Sequence, residues 1–149
     1  MKKNIAIVAG GDSSEIIVSL KSAAGIFSFI DEKKYHKYIV LIEKQKWQVK
    51  VSEEELIDID KNDFSFIKDK QKIKFDFAYI TIHGTPGENG ILQAYFELID
   101  LPYSTCGVLS SALTFNKFAC NHYLKGFGVK VADSLVLRKG QSIEDEELI

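Results

Sequence analysis

The sequence predicts an α/β protein, an open and mostly parallel sheet with helices on both faces. Two apolar runs, IAIVA at residues 5–9 and FAYITI at 77–82, lack the alternation of a half-exposed strand and so suit strands covered on both sides. Each leads into a glycine-rich loop, GGDSS at 10–14 and HGTPGENG at 83–90, and each loop into a stretch of helical period. Strand, loop and helix in repeated succession imply parallel strands joined by right-handed crossovers.

The elements follow in order. Residues 5–9 form the first strand and 10–14 its turn. In the helix beyond, Ile17, Leu20, Ala24 and Phe27 fall on one face, with Asp12 or Ser13 as the cap. YIVLI at 38–42 reads as the second strand and WQVKV at 47–51 as a short further one. The acidic and lysine-rich stretch 52–74 has weak periodicity and reads as a surface excursion. After the strand at 77–82 a helix is expected over 91–99. LPY at 101–103 suits an edge strand, because proline cannot donate to a ladder. Residues 110–116 and 117–126 make one helix or two, ending at Gly126 and Gly128, and 132–137 a last strand. Neither internal repeats nor low-complexity segments occur.

Composition sets the bounds. A chain of 149 residues, 46% hydrophobic and 27% charged, suits one globular domain with a small appendage. The net charge of −2 gives no electrostatic case for nucleic acid or an anionic membrane surface, and Arg138 is the only arginine. No apolar run approaches the ~20 residues that span a bilayer. The run at 5–9 is too short for a signal sequence. Cys106 and Cys120 lack CxxC spacing and read as reduced thiols of a cytoplasmic protein.

Ligands of such sheets collect at the carboxyl ends of the strands, where both glycine loops fall. Glycine allows close backbone approach and a helix N-terminus favours negative charge, yet tight strand–helix turns would explain both loops equally well. Neither loop is a G-x-G-x-x-G or phosphate-loop fingerprint. Glu15 opens the first helix, as a helix-start acid or as a carboxylate for a ligand ammonium. Val18 and Ser19 follow on its face. His83 is either a structural histidine or a ligand group, and Glu88 suits the start of the next helix.

Together the motifs resemble something specific. GGDSSEIIVSL, HGTPGENGILQAYFELIDLPY and CGVLSSALTFNK are similar, in order and spacing, to the N-terminal part of the D-alanine–D-alanine ligases of the ATP-grasp superfamily. The resemblance implies a Rossmann-like pre-ATP-grasp domain at 1–126, with 127–149 opening a central domain that the chain does not complete. It implies that Glu15 holds the ammonium of the first D-alanine, that Val18 lies against its methyl group, and that His83 stands beside Glu15. Ser19 and Gly84 join the substrate-binding residues, and Lys117 reaches the phosphates of ATP. Where the family often has a basic residue after the glutamate, Ile16 stands here. The resemblance also implies Mg²⁺, a homodimer, a cytoplasmic setting and a role in peptidoglycan precursor synthesis. No metal ligand can be nominated in this chain, because the acids after Lys117 are Asp133 and an acidic tail at 144–147 that reads as solvated. The alternative is a non-catalytic amino-acid-binding or oligomerisation module. A flavodoxin-like or response-regulator domain is disfavoured, since Gly10 and Gly11 stand where its acids would be.

Overall fold

The computed structural model describes residues 2–52 and 54–140. Its centre is a five-stranded sheet built from β1 (Lys3–Gly10), β2 (Tyr35–Glu43), β3 (Lys46–Lys50), β4 (Leu56–Asp58) and β7 (Phe77–Ile80), in the order β4-β3-β2-β1-β7. β1 pairs in parallel with both β2 and β7, while β3 runs antiparallel to β2 and β4. A separate hairpin joins β5 (Ser65–Lys68) to β6 (Gln71–Lys74). Four helices complete the chain: α1 (Ile16–Phe29), α2 (Ile91–Leu98), α3 (Val108–Phe115) and α4 (Lys117–Gly126). The α/β architecture, the mostly parallel strand direction and the pair of helices after residue 107 agree with the sequence reading.

The unbroken apolar strands divide their side chains between two cores. Ala6, Val8, Val40, Ile42, Ala78 and Ile80 face one way and meet Leu92 and Phe96 of α2. Ile7 and Ala9 face the other way and meet Ala23 of α1, with Ile26, Phe27 and Ile30 packed around them. Full burial of a side chain such as Leu92 or Phe96 is worth ~1.5–3 kcal/mol. The first core is much the larger.

The expected buried face of α1 was misplaced. Ser19 and Ala23 are the buried positions, whereas Ile17 is 63% exposed and Leu20 39%. Apolar residues surround this helix, so the pattern itself could not select a face. The expected caps also serve elsewhere. Glu15 holds the N-cap position without a side-chain bond, Ser13 Oγ accepts the Glu15 N–H, and Asp12 Oδ1 accepts the Lys44 N–H.

The stretch 52–74 is no surface excursion. It contains β4 and the β5–β6 hairpin, and it supplies Ile59, Phe64 and Phe66 to the larger core. Phe64 is 1% exposed and meets Phe96 at 5.1 Å, Phe75 at 5.3 Å and Trp47 at 6.0 Å between ring centroids. Asp69 and Lys70, with φ of 50° and 63°, make the two-residue turn whose twist suits a hairpin. Residues 101–103 do form an edge, through an isolated parallel bridge between Ala78 and Tyr103 and a bond from Ala78 N–H to the Pro102 carbonyl. Residues 132–137 form no strand, since no described segment offers them a ladder. The acidic tail at 144–147 lies outside the described residues.

Candidate functional site

β1 ends at Gly10 and Gly11, with φ of 108° and 99° that favour glycine. A methyl group added at Gly11 would lie 2.6 Å from Ile82 Cγ2, so the turn is pressed against the strand end that carries the second loop. Asp12 N–H donates to the Thr85 carbonyl at 3.0 Å, and Ser13 Oγ donates to the His83 carbonyl at 2.9 Å. Two glycine loops about seventy positions apart thus form one wall.

The second loop is closed by its own residues. Gly84 N–H donates to Glu88 Oε2 at 2.7 Å, and the N–H groups of Gly87 and Glu88 donate to the Gly84 carbonyl. Glu88 is therefore engaged in shaping the loop. Gln93, fully buried on α2, donates its amide to the Gly87 carbonyl at 2.7 Å and to Thr105 Oγ1 at 2.9 Å. This ties the loop to the segment that leads into α3.

On this wall Glu15 and His83 meet. Glu15 Oε2 lies 3.9 Å from His83 Nδ1, with side chains 59% and 41% exposed. A pair this open to water contributes little stability, ~0–1 kcal/mol. The carboxylate makes no capping bond, so the capping-box reading of Glu15 has no geometric support, while its N-cap position still sets it at the positive end of α1. What remains is an accessible carboxylate at the sheet's carboxyl edge, suited to a ligand cation by a charge-assisted hydrogen bond. Val18 is one turn along α1 and 49% exposed, an apolar surface near that carboxylate. Gly84, with φ of 73°, lies opposite Ser13, and a methyl group there would approach Ser13 Cβ to 3.2 Å. Ser19 differs from the rest. It is fully buried, and its Oγ accepts the Gly10 N–H at 3.0 Å, so it supports the wall from beneath.

Lys117 belongs to a separate place. It opens α4 and lines a cavity of about 490 Å³ with Glu88, Gln93, Thr105, Cys106 and Ser111. Gly87 and Glu88 contribute to that cavity, so the HGTPGENG loop separates the carboxylate from the lysine. The sequence reading took Ser13 only as a helix cap and passed over Thr81 and Gln93. Ser13 and Gln93 lie within the quoted motifs, whereas Thr81 is hidden in an apolar run. Among the described residues, no three or more His, Cys, Asp or Glu side chains group to hold a metal, and no helix is long and apolar enough to cross a membrane.

A family model described as D-ala D-ala ligase N-terminus matches residues 4–106. The chain belongs to that family. The match to the D-ala D-ala ligase N-terminus includes Glu15, Val18, Ser19, His83 and Gly84, and stops short of Lys117. Over all 149 residues the chain is 63% identical to a D-alanine--D-alanine ligase of Phocaeicola vulgatus, of which it covers 46%. It thus spans about half the length of the curated relatives it matches. Among solved structures, a D-alanine-D-alanine ligase from Coxiella burnetii superposes with a TM-score of 0.84 at 26% identity, over 99% of this chain and 47% of that one. A D-alanyl-alanine synthetase A from Vibrio cholerae gives 0.75 at 32% identity, over 86% and 38%.

Proposed function

We propose that this chain is the N-terminal substrate-binding part of an ATP-dependent D-alanine–D-alanine ligase. In this reading residues 127–149 open an ATP-grasp central domain, and the whole enzyme works as a cytoplasmic homodimer on peptidoglycan precursors. The observation that carries the reading is the Glu15 carboxylate, free of capping duty and 3.9 Å from His83, on the wall made by two ligase-family motifs.

Glu15 takes the ammonium of the first D-alanine, Val18 lies against the methyl group, and His83 and Gly84 complete the wall. Holding the ammonium fixes the direction of the substrate carboxylate, which must reach a phosphoryl group in line. Lys117 fits the phosphate side, since its ammonium is a point charge suited to a polyphosphate and opens onto a cavity whose lining offers the Gln93 amide and the hydroxyls of Thr105, Ser111 and Thr114 beside Glu88 and Cys106. ATP supplies the phosphoryl group that turns the carboxylate into an acyl phosphate, and the amine of the second D-alanine displaces that phosphate. Mg²⁺ would offset phosphate charge, with carboxylate ligands outside this chain.

The test is Glu15→Gln in the whole enzyme. Loss of one charge-assisted hydrogen bond, ~1.5–3 kcal/mol, should raise KM for the first D-alanine about tenfold to a hundredfold. The melting temperature should stay in place, because the side chain caps nothing. A lowered melting temperature with unchanged kinetics would overturn the assignment.

A further inference from the structure

Two hydroxyl side chains lie in the apolar layer between α1 and the sheet. Ser19 is 0% exposed and Thr81 9%, beside a core of Ile7, Ala9 and Ala23. Alanine and valine would fill the same space, and a buried hydroxyl without a partner is unfavourable. Both hydroxyls are instead bonded. Gly10 N–H donates to Ser19 Oγ at 3.0 Å, and Thr81 Oγ1 donates to the Val8 carbonyl at 3.0 Å. The two oxygens face each other at a long 3.5 Å, where either can donate, and the Ser19 carbonyl lies 3.3 Å from Thr81 Oγ1 as a second acceptor.

This chain of bonds joins three segments at the end of the sheet where the site lies. Gly10 ends β1, Ser19 stands one helical turn after Glu15, and Thr81 stands two residues before His83. The Ser19 N–H donates to the Glu15 carbonyl, so the turn that carries the carboxylate is the turn that Ser19 anchors. Thr81 N–H also donates to the Val8 carbonyl at 2.8 Å, which fixes the strand end that carries His83.

We propose that Ser19 and Thr81 are positioning residues, a buried hydroxyl latch that sets the Glu15–His83 geometry for the ammonium of the first amino-acid substrate. The proposal rests on the functional reading above. Neither hydroxyl touches substrate. Each acts by preventing α1 from sliding along the sheet and carrying Glu15 away from His83.

The test compares Thr81→Val, Thr81→Ser and Ser19→Ala with Glu15→Gln in the whole enzyme, reading KM for D-alanine, KM for ATP and melting temperature. Thr81→Val keeps the shape and leaves the Val8 carbonyl with its backbone donor, and it removes the hydroxyl's bonds to Val8 and to Ser19. It should raise KM for D-alanine about five- to twentyfold while KM for ATP stays within about twofold, as expected of a displaced binding group. Thr81→Ser should restore the parent value. Ser19→Ala should be the more severe, because it leaves the Gly10 N–H without its acceptor. Should that variant fail to fold, the Thr81 pair decides the matter. A fall in melting temperature with an unchanged KM for D-alanine in Thr81→Val overturns the latch while Glu15→Gln remains impaired. An unaffected Glu15→Gln enzyme overturns the underlying site and the latch with it.

Discussion

Glu15 and Lys117 are both single charges at helix starts, yet the structure gives them different surroundings. Glu15 faces His83 across an open wall, whereas Lys117 opens α4 beside a cavity of hydroxyls and amides. Lys117→Ala should therefore raise KM for ATP well above any effect on KM for D-alanine, measured by steady-state kinetics of the whole enzyme. Equal effects on both would count against a phosphate contact. Glu15, His83 and Lys117 were legible because charged residues stand out within glycine motifs. Ser19 is named as substrate-binding in the sequence reading, but its burial was not legible, because a serine one turn after Glu15 on an apolar helix looks like a surface residue. Tyr103 gives a pH test at this scale. Its hydroxyl donates to Glu97 at 2.6 Å, and that bond, followed by burial, pushes its pKa from 10.0 up to about 12. A raised folded-state pKa means the contribution to stability is complete below pH 10 and is lost between pH 10 and about 12. Absorbance titration of tyrosinate should show late ionisation by Tyr103 and by Tyr95, which burial also pushes up to about 12, and the Tyr103→Phe chain should lose one of the two late steps.

At the scale of elements, sequence reading succeeded where period and packing agree. The apolar runs of β1 and β2 place alternate residues in the two cores, β7 sends Ala78 and Ile80 into the larger one while Tyr79 stays 37% exposed, and α2 starts where the glycine loop ends. It failed at α1, where apolar residues on several faces hid the buried stripe, and at 52–74, where charge hid structure. In that stretch the lysines and aspartates pair with one another across the hairpin: Lys72 bonds Asp63 at 2.8 Å and Lys74 bonds it at 3.1 Å. The charges lie on the outside of a hairpin whose aromatic residues point inward, so their number says nothing about the core beneath. Phe64→Ala should accordingly destabilise the protein by ~3–5 kcal/mol, as large core truncations do, and chemical denaturation would measure it. A loss below ~1 kcal/mol would return the stretch to the surface.

For the whole molecule, the 149-residue chain spans about half the length of its curated relatives. On the proposed reading it carries one wall of an amino-acid site and a single lysine toward phosphate, and among the described residues there is no cluster of three metal-ligating side chains. Phosphoryl transfer depends on metal ions and several phosphate clamps held together. The isolated chain is therefore expected to fold yet to release no phosphate from ATP and form no dipeptide. D-alanine-dependent phosphate release from the purified chain would contradict this.

The two cores are unequal, and the smaller lies under α1. Ile7, Ala9 and Ala23 bury few methyl groups, whereas the opposite side of the sheet is filled by Phe64, Phe66, Phe75 and Phe96. Opening of a folded protein begins where apolar contacts are fewest. Of the two helices that pack on the buried faces of the sheet, α1 is thus held by fewer apolar groups than α2, and its amide protons are expected to exchange with solvent before those of β1. On the proposed reading, recognition of the amino acid then fails at a lower temperature than the fold does. A ligand that bridges Glu15 to the loop at His83 would add its binding free energy to that weaker face, so the substrate itself would act as a clamp on it.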